Sequence, residues 1–172
     1  MACALTQGYS LGCREGIGCI KEVYIMEVGN LSAVTEASGV VTAITKAAGK
    51  RFWKYSLIRE TSNFDEAITG NEQNGTIYYA QTGAIILNTK MAATRNEIML
   101  LAKNNIVVVA VENTGKSFLY GKEFGLSLLT GNASSGTAWA DRNGYTLNFS
   151  GNEKELAPEV QTSVLATLEV AS

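Results

Sequence analysis

The sequence predicts a mainly β fold of the α+β class: an antiparallel β-sandwich or small barrel with one flanking α-helix over about 93–104. Three observations carry that expectation. Short runs of β-branched and aromatic residues recur along the chain, divided by Gly, Asn, Asp and Ser. One segment, 93–105, opens on a capping box and keeps a helical period. Tyr145, Leu147 and Phe149 alternate with Thr146, Asn148 and Ser150, the period of a strand with one buried face.

The elements follow in chain order. Ile20 to Val28 mixes charges with β-branched and aromatic residues and reads as a strand. Leu31–Thr35 and Val40–Thr45 flank Glu36-Ala37-Ser38-Gly39, a hairpin turn. The run RFWKYSLIRET at 51–61, NFDEAIT after it, the polar loop GNEQNG at 70–75 and TIYYAQTGAIILN at 76–88 read together as one long hairpin, 51–88, with the polar loop at its tip. In ATRNEIMLLAKNN, Thr94 and Glu97 form the capping box, Ile98, Leu101 and Ala102 share a face, and Lys103 meets the C-terminal dipole. PEVQTSVLATLEV reads as a second helix starting near Pro158 or, equally on its valines and threonines, as a strand. The only proline is Pro158, so no linker interrupts the body and 1–172 reads as a single domain with an extended arm over 1–19.

Thr114-Gly115-Lys116-Ser117 directly follows a run of valines, as the end of a phosphate-binding loop would. A phosphate-binding loop also needs a glycine five residues before its Gly-Lys pair, where this chain has Ala110, and a helix after it. The residues that follow, Phe118-Leu119-Tyr120, are strand-forming. The favoured reading is therefore a hairpin: Ile106–Glu112 up, 113–116 turning, Ser117–Gly121 back.

Composition narrows the function. Charged residues make up 17% of the 172, hydrophobic residues 46%, and the net charge is −2. That balance favours neither disorder nor general attraction to nucleic acid. A charge deficit beside many small polar residues suits a surface that meets other protein. There is no histidine, which removes the commonest general base and metal ligand, so no catalytic, cofactor or metal residue is expected. Cys3, Cys13 and Cys19 lack paired zinc spacing and read as reduced thiols. No signal peptide or membrane span is legible in the first residues.

Four candidate sites have competing readings. NASSGTA (132–138) has the composition of an anion nest or of a flexible loop, the latter favoured. Asp141 and Arg142 suit an ion pair across a subunit interface or, for Asp141, a turn. Asp65, Glu66 and Glu72 lack calcium-loop spacing and read as solvated hairpin surface. Segment 46–59 carries Lys46, Lys50, Arg51, Lys54 and Arg59 with no acid, interleaved with Phe52, Trp53 and Tyr55. Such a strand can bind single-stranded nucleic acid by phosphate contact and stacking. It equally suits a subunit interface, with Arg51, Trp53, Lys54, Tyr55 and Arg59 as anchors. The interface is favoured: from Thr61 onward there are seven basic and eleven acidic side chains, so a neighbouring copy supplies an acidic partner surface.

NGTIYYAQ, TRNEIMLLAKNN, GKSFLYG and ADRNGYTLNFSGNEKELAPEV together resemble small virion structural proteins of tailed phages of Bacteroides-type bacteria, over nearly the whole chain. The order of strands, one mid-chain helix and further strands is similar to the phage tail-tube protein family and its relatives in contractile injection machines. The resemblance implies a subunit of stacked, commonly hexameric rings around a DNA channel, in a virion tail assembled in the host bacterial cytoplasm. Its partners would be its own copies and other virion proteins, with DNA as passing cargo. A capsid decoration protein or head-tail connector is the alternative, and a nucleic-acid-binding module a third.

Overall fold

The computed structural model describes residues 7–10 and 16–171. Two antiparallel hairpins, β2–β3 and β7–β8, follow the sequence pattern closely. Strand β1 (Ile20–Glu27) is followed by a 3-10 turn, then β2 (Leu31–Ala37) and β3 (Val40–Lys46). Ser38 and Gly39 turn between β2 and β3 at φ 53° and 78°, the left-handed pair that lets a two-residue hairpin match the strand twist. Further on, β7 (Ile106–Glu112) and β8 (Ser117–Tyr120) form the hairpin expected at Thr-Gly-Lys-Ser, closed by Gly115 at φ 85°.

These strands join β4 (Trp53–Ser56) and the two-residue β11 (Glu159–Val160) in a seven-stranded sheet of order β2-β3-β11-β8-β7-β1-β4. A second sheet holds β5 (Asn63–Asn71), β6 (Thr76–Asn88), β10 (Gly144–Glu153) and β9 (Ser127–Ser134), in the order β5-β6-β10-β9. Strand β7, IVVVAVE, has no polar alternation because both of its faces are covered. Val108 and Ala110 pack with Val23, Ile25 and Tyr120 against Ile85, Leu147 and Phe149 of the smaller sheet. Val107, Val109 and Val111 pack on the other side with Tyr24, Val41 and Leu119. Each such buried side chain stabilises by about 1.5–3 kcal/mol.

That second face is closed by the helix α2 (Thr162–Leu168), through Val164 and Leu168. Seven residues are too few for a helix to stand alone in water. Lys46 holds its end. At 9% exposure, its ammonium donates to the carbonyls of Thr167 (2.7 Å), Leu168 (3.4 Å) and Val170 (2.5 Å), which a helix C-terminus leaves unpaired. The layers are thus α2, the seven-stranded sheet and the four-stranded sheet.

Four expectations are corrected. The helix α1 (Ala92–Leu101) is capped by Met91 without a side-chain bond, so Thr94 and Glu97 lie inside it and form no capping box. Its start is set by Thr89, at φ 78° with its amide donating to Asn143, which turns the chain out of β6 early. Lys103 falls past the last turn, where the side-chain amide of Asn104 donates to Leu100 instead. The C-terminal segment holds both a short strand and a helix, and Pro158 precedes β11 rather than α2, its carbonyl accepting from Leu119. The long hairpin covers 63–88 and not 51–88: Trp53 pairs with Ile25 and Ser56 with Glu22, so β4 edges the larger sheet. The chain crosses between the sheets at 57–62, where Glu60 takes φ 60°. Lastly, 132–134 of NASSGTA continue β9, leaving 135–143 as the loop.

Of the expected arm 1–19, residues 1–6 and 11–15, with Cys3 and Cys13, lie outside the described residues. Gly18 and Cys19 are tied to the β7–β8 turn by carbonyls that accept from Asn113. Cys19 is a free thiol whose sulfur accepts from the Glu60 amide at 2.9 Å. Among the described residues no helix is long and apolar enough to cross a membrane.

Candidate assembly surfaces

The basic aromatic strand is divided by the fold. Phe52 is buried, and Lys46 is spent on α2, so neither faces outward. Lys54 pairs with Glu22 at 2.8 Å and lies 5.5 Å from the Tyr24 ring centroid. Partial burial would raise the Glu22 carboxyl, but hydrogen bonds from Lys54 and Tyr24 outweigh it and hold Glu22 below the usual carboxylate range. Tyr55 is half-buried and packs against the inter-sheet core, its phenol pushed up by burial and by the nearby charges of Glu97 and Glu27. Arg51 stacks over Trp53 at 4.1 Å, and both are exposed, as are Lys50 and Arg59. Three of the five cations remain for a partner, and of the three aromatics only Trp53 stands well out.

Asp141 and Arg142 sit elsewhere, in the β9–β10 loop, and do not pair with each other. The Asp141 carboxylate accepts from the amides of Thr137 (2.8 Å) and Ala138 (2.7 Å), with Gly136 at φ 72° turning the chain before them. The nest suggested by NASSGTA therefore exists, but the chain fills it with its own carboxylate. Arg142 donates to the Thr146 hydroxyl at 2.6 Å. Trp139, at the apex of this loop, is fully exposed.

The bonds from Ala138 and Thr137 hold the Asp141 carboxyl below its ordinary value. A depressed acid contributes stability that is complete above its unfolded pKa and fades as pH falls through the folded one. In a Trp53→Phe background, Trp139 fluorescence anisotropy should stay constant at neutral pH and drop in acid below the ordinary aspartate range. Asp141→Asn should show the low value at every pH; a pH-independent wild-type signal would contradict the role of the carboxylate.

The Thr-Gly-Lys-Ser turn has no phosphate-binding geometry. Lys116 is exposed and pairs with Glu159 at 3.2 Å, and the Ser117 hydroxyl is buried with no hydrogen-bond partner. Nor is the acidic cluster wholly solvated: Glu66 accepts from Gln81 (2.8 Å) and from the amide of Ala157 (2.9 Å). Among the described residues no group of three or more His, Cys, Asp or Glu could hold a metal.

Sequence reasoning missed one coherent surface, the outer face of the four-stranded sheet. Because Ile85, Leu147 and Phe149 face the core, the alternate residues of the four-stranded sheet face away from it. The register places Thr82 beside Asp65 and Ser150, Ala84 beside Asn63 and Asn148, and Asn148 beside Thr130. Across this face the side chains are Thr, Asn, Ser and Ala, with Ile86 and Tyr78 toward its ends and Asp65 the only charge. A shallow trough runs over it between Thr82, Thr130 and Asn148. The strands themselves carry no cation and no row of stacking aromatics on this face, and Arg142 reaches it only at one end, from the β9–β10 loop to Thr146, so the face offers little that nucleic acid grips.

This neutral face is bounded by two free edges, β5 and β9. Strand β9, SLLTGNAS, has no charge and no proline; its one irregularity is a bulge at Leu129, which is 68% exposed. Edges of free monomers are usually blocked by charge or proline. No protein-family model, curated protein or solved structure matches this chain. What bears on function is therefore the fold and these surfaces, and the signal for them was the run of Thr, Asn and Ser at alternate positions in 127–134 and 144–152.

Proposed function

We propose that the chain is a structural subunit of a virion, a tail-tube protein whose copies close into rings, hexameric by the resemblance, that enclose a passage for DNA. The observation that carries this reading is the neutral polar face of the four-stranded sheet lying between two free edges. Pairing β9 of one copy with β5 of the next satisfies both edges and repeats the face around a channel. A channel wall of hydroxyls and amides offers a polyanion no attractive charge, so DNA moves past without being held. The nucleic-acid-module reading loses support because Lys46 and Lys54 are engaged within the chain.

Electron microscopy of the purified protein tests the proposal. Annular particles with a central hole, alone or in stacks, are the expected result. Monomers or compact trimers at all concentrations would refute it and favour a capsid decoration role.

A further inference from the structure

The chain holds two Asn-Gly pairs, Asn74-Gly75 and Asn143-Gly144. This dipeptide can react with itself. Once its proton is lost to solvent base, the glycine nitrogen can attack the side-chain carbonyl carbon of the asparagine, and glycine has no Cβ to block the approach. The attack requires a free asparagine side chain and a following peptide that can rotate toward it.

The fold meets both conditions at the first pair. Asn74 and Gly75 lie in the turn between β5 and β6, where every residue from Asn71 to Thr76 is exposed. Strand β10 stops opposite Tyr79, so no third strand braces this end of the hairpin. Among the described residues the Asn74 side chain makes no hydrogen bond; only its backbone amide does, donating to the Asn71 side-chain carbonyl at 3.1 Å. The Gly75 amide donates to the Glu72 carbonyl at 3.3 Å, a long bond in an exposed turn, which opens at little cost. A Cβ added at Gly75 would meet nothing within 4 Å, so there is room for a ring.

At the second pair the fold denies them. Asn143 is exposed, but Gly144 is buried at the start of β10, in register between Asn88 and Ser134. An atom added at Gly144 would collide with the Leu87 carbonyl. The peptide that would have to rotate is pinned, because the Asn143 carbonyl accepts from the Thr89 amide at 2.7 Å.

We propose that Asn74 is a site of spontaneous covalent modification in the folded protein, while the fold shields Asn143. The Gly75 nitrogen bonds to Cγ of Asn74, and the side-chain nitrogen leaves as ammonia, taking up a proton in place of the one Gly75 lost. Water then opens the cyclic imide. Attack at Cγ restores the ordinary backbone with aspartate; attack at the main-chain carbonyl carbon gives isoaspartate, with the chain running through Cγ. The sum is amide plus water to carboxylate plus ammonium, with no oxidant or cofactor. Either product sets a carboxylate beside Glu72 in a turn, 71–76, that holds no cation. Isoaspartate also lengthens the turn by a backbone carbon, so the last pair of the ladder, Asn71 with Thr76, opens. The inference is independent of the ring-subunit reading.

Peptide mass spectrometry of the full chain, aged for days in mildly alkaline buffer, tests it. Cleavage after Arg59, Lys90, Arg142 and Lys154 puts the two pairs on separate peptides. In the folded chain, fragmentation should locate the amide-to-acid mass change at Asn74, with a share of the product methylated by an isoaspartate-specific methyltransferase. Asn143 should react roughly tenfold or more slowly, because local unfolding must first free its peptide, and should catch up in urea. Asn74→Gln, whose longer side chain disfavours ring closure, should remove the reaction from the first peptide and leave near-UV circular dichroism unchanged. An Asn74 that stays intact in the folded chain while it reacts in urea would overturn the proposal. So would equal rates at Asn74 and Asn143 without urea.

Discussion

Changing Glu153 to glutamine should lower the unfolding free energy by about 2–3 kcal/mol, read from the urea midpoint at neutral pH. Glu153 is 4% exposed, yet among the described residues its carboxylate forms no ion pair. It accepts instead from three successive amides, Glu123 (3.2 Å to each oxygen), Phe124 (2.9 Å) and Gly125 (3.2 Å). Burying a carboxylate is costly unless its lone pairs are filled, and charge-assisted bonds to backbone amides are stronger than neutral ones. Glutamine keeps the shape but sets an NH₂ group against donors, leaving buried amides unpaired. The loop cannot adapt cheaply. Gly121 sits at φ 69°, where an added Cβ would come 2.8 Å from the Ile106 carbonyl, and its amide is fixed by Gln81 at 2.8 Å. The melting temperature should fall by roughly 4–12 °C. A shift within about 0.5 kcal/mol, the range of ordinary surface changes, would show that the nest contributes nothing.

The second large effect concerns assembly. Leu129→Lys should leave the subunit folded and abolish lateral association. The residue is exposed at the bulge of β9, between the pairs Leu128 with Phe149 and Thr130 with Asn148. A surface substitution there should move stability by no more than about 0.5 kcal/mol. A lysine on an otherwise uncharged edge must be desolvated when another strand docks, which is how natural edges resist pairing. The expected outcome is a monomer by light scattering at concentrations where wild type forms rings, with an unchanged unfolding curve. If rings persist, β9 is not the lateral edge.

How much of this was legible in the residues depends on the range of the interaction that decides it. The β7–β8 hairpin was, because Asn-Thr-Gly-Lys between two apolar runs is local turn chemistry. The periods of β10 and of α1 were also visible, since each depends on spacing within one element. The place of β4 was not. RFWKYSLIRET reads as one strand, and its pairing with β1, some thirty residues earlier, is settled by Phe52 entering the core and by the turn at Glu60. Nothing local marks Glu153 or Lys46 as buried, because the amides and carbonyls that fill their bonds come from distant loops. Among the candidate residues, Arg51, Trp53 and Arg59 are exposed. Asp141 suited an ion pair and a turn equally, because the backbone amides that decide for the turn were invisible in sequence.

The short strand β11 has a consequence for the order of events during synthesis. It lies parallel to β3 and antiparallel to β8, with bonds to Gly39 and Val41 on one side and from Leu119 on the other. Before Glu159 and Val160 emerge from the ribosome, β2–β3 and β8–β7–β1–β4 are separate ribbons with bare inner edges. Contacts over more than a hundred residues of chain must wait for translation to reach them. The seven-stranded sheet is therefore completed only once Glu159 and Val160 are available to bridge its two ribbons.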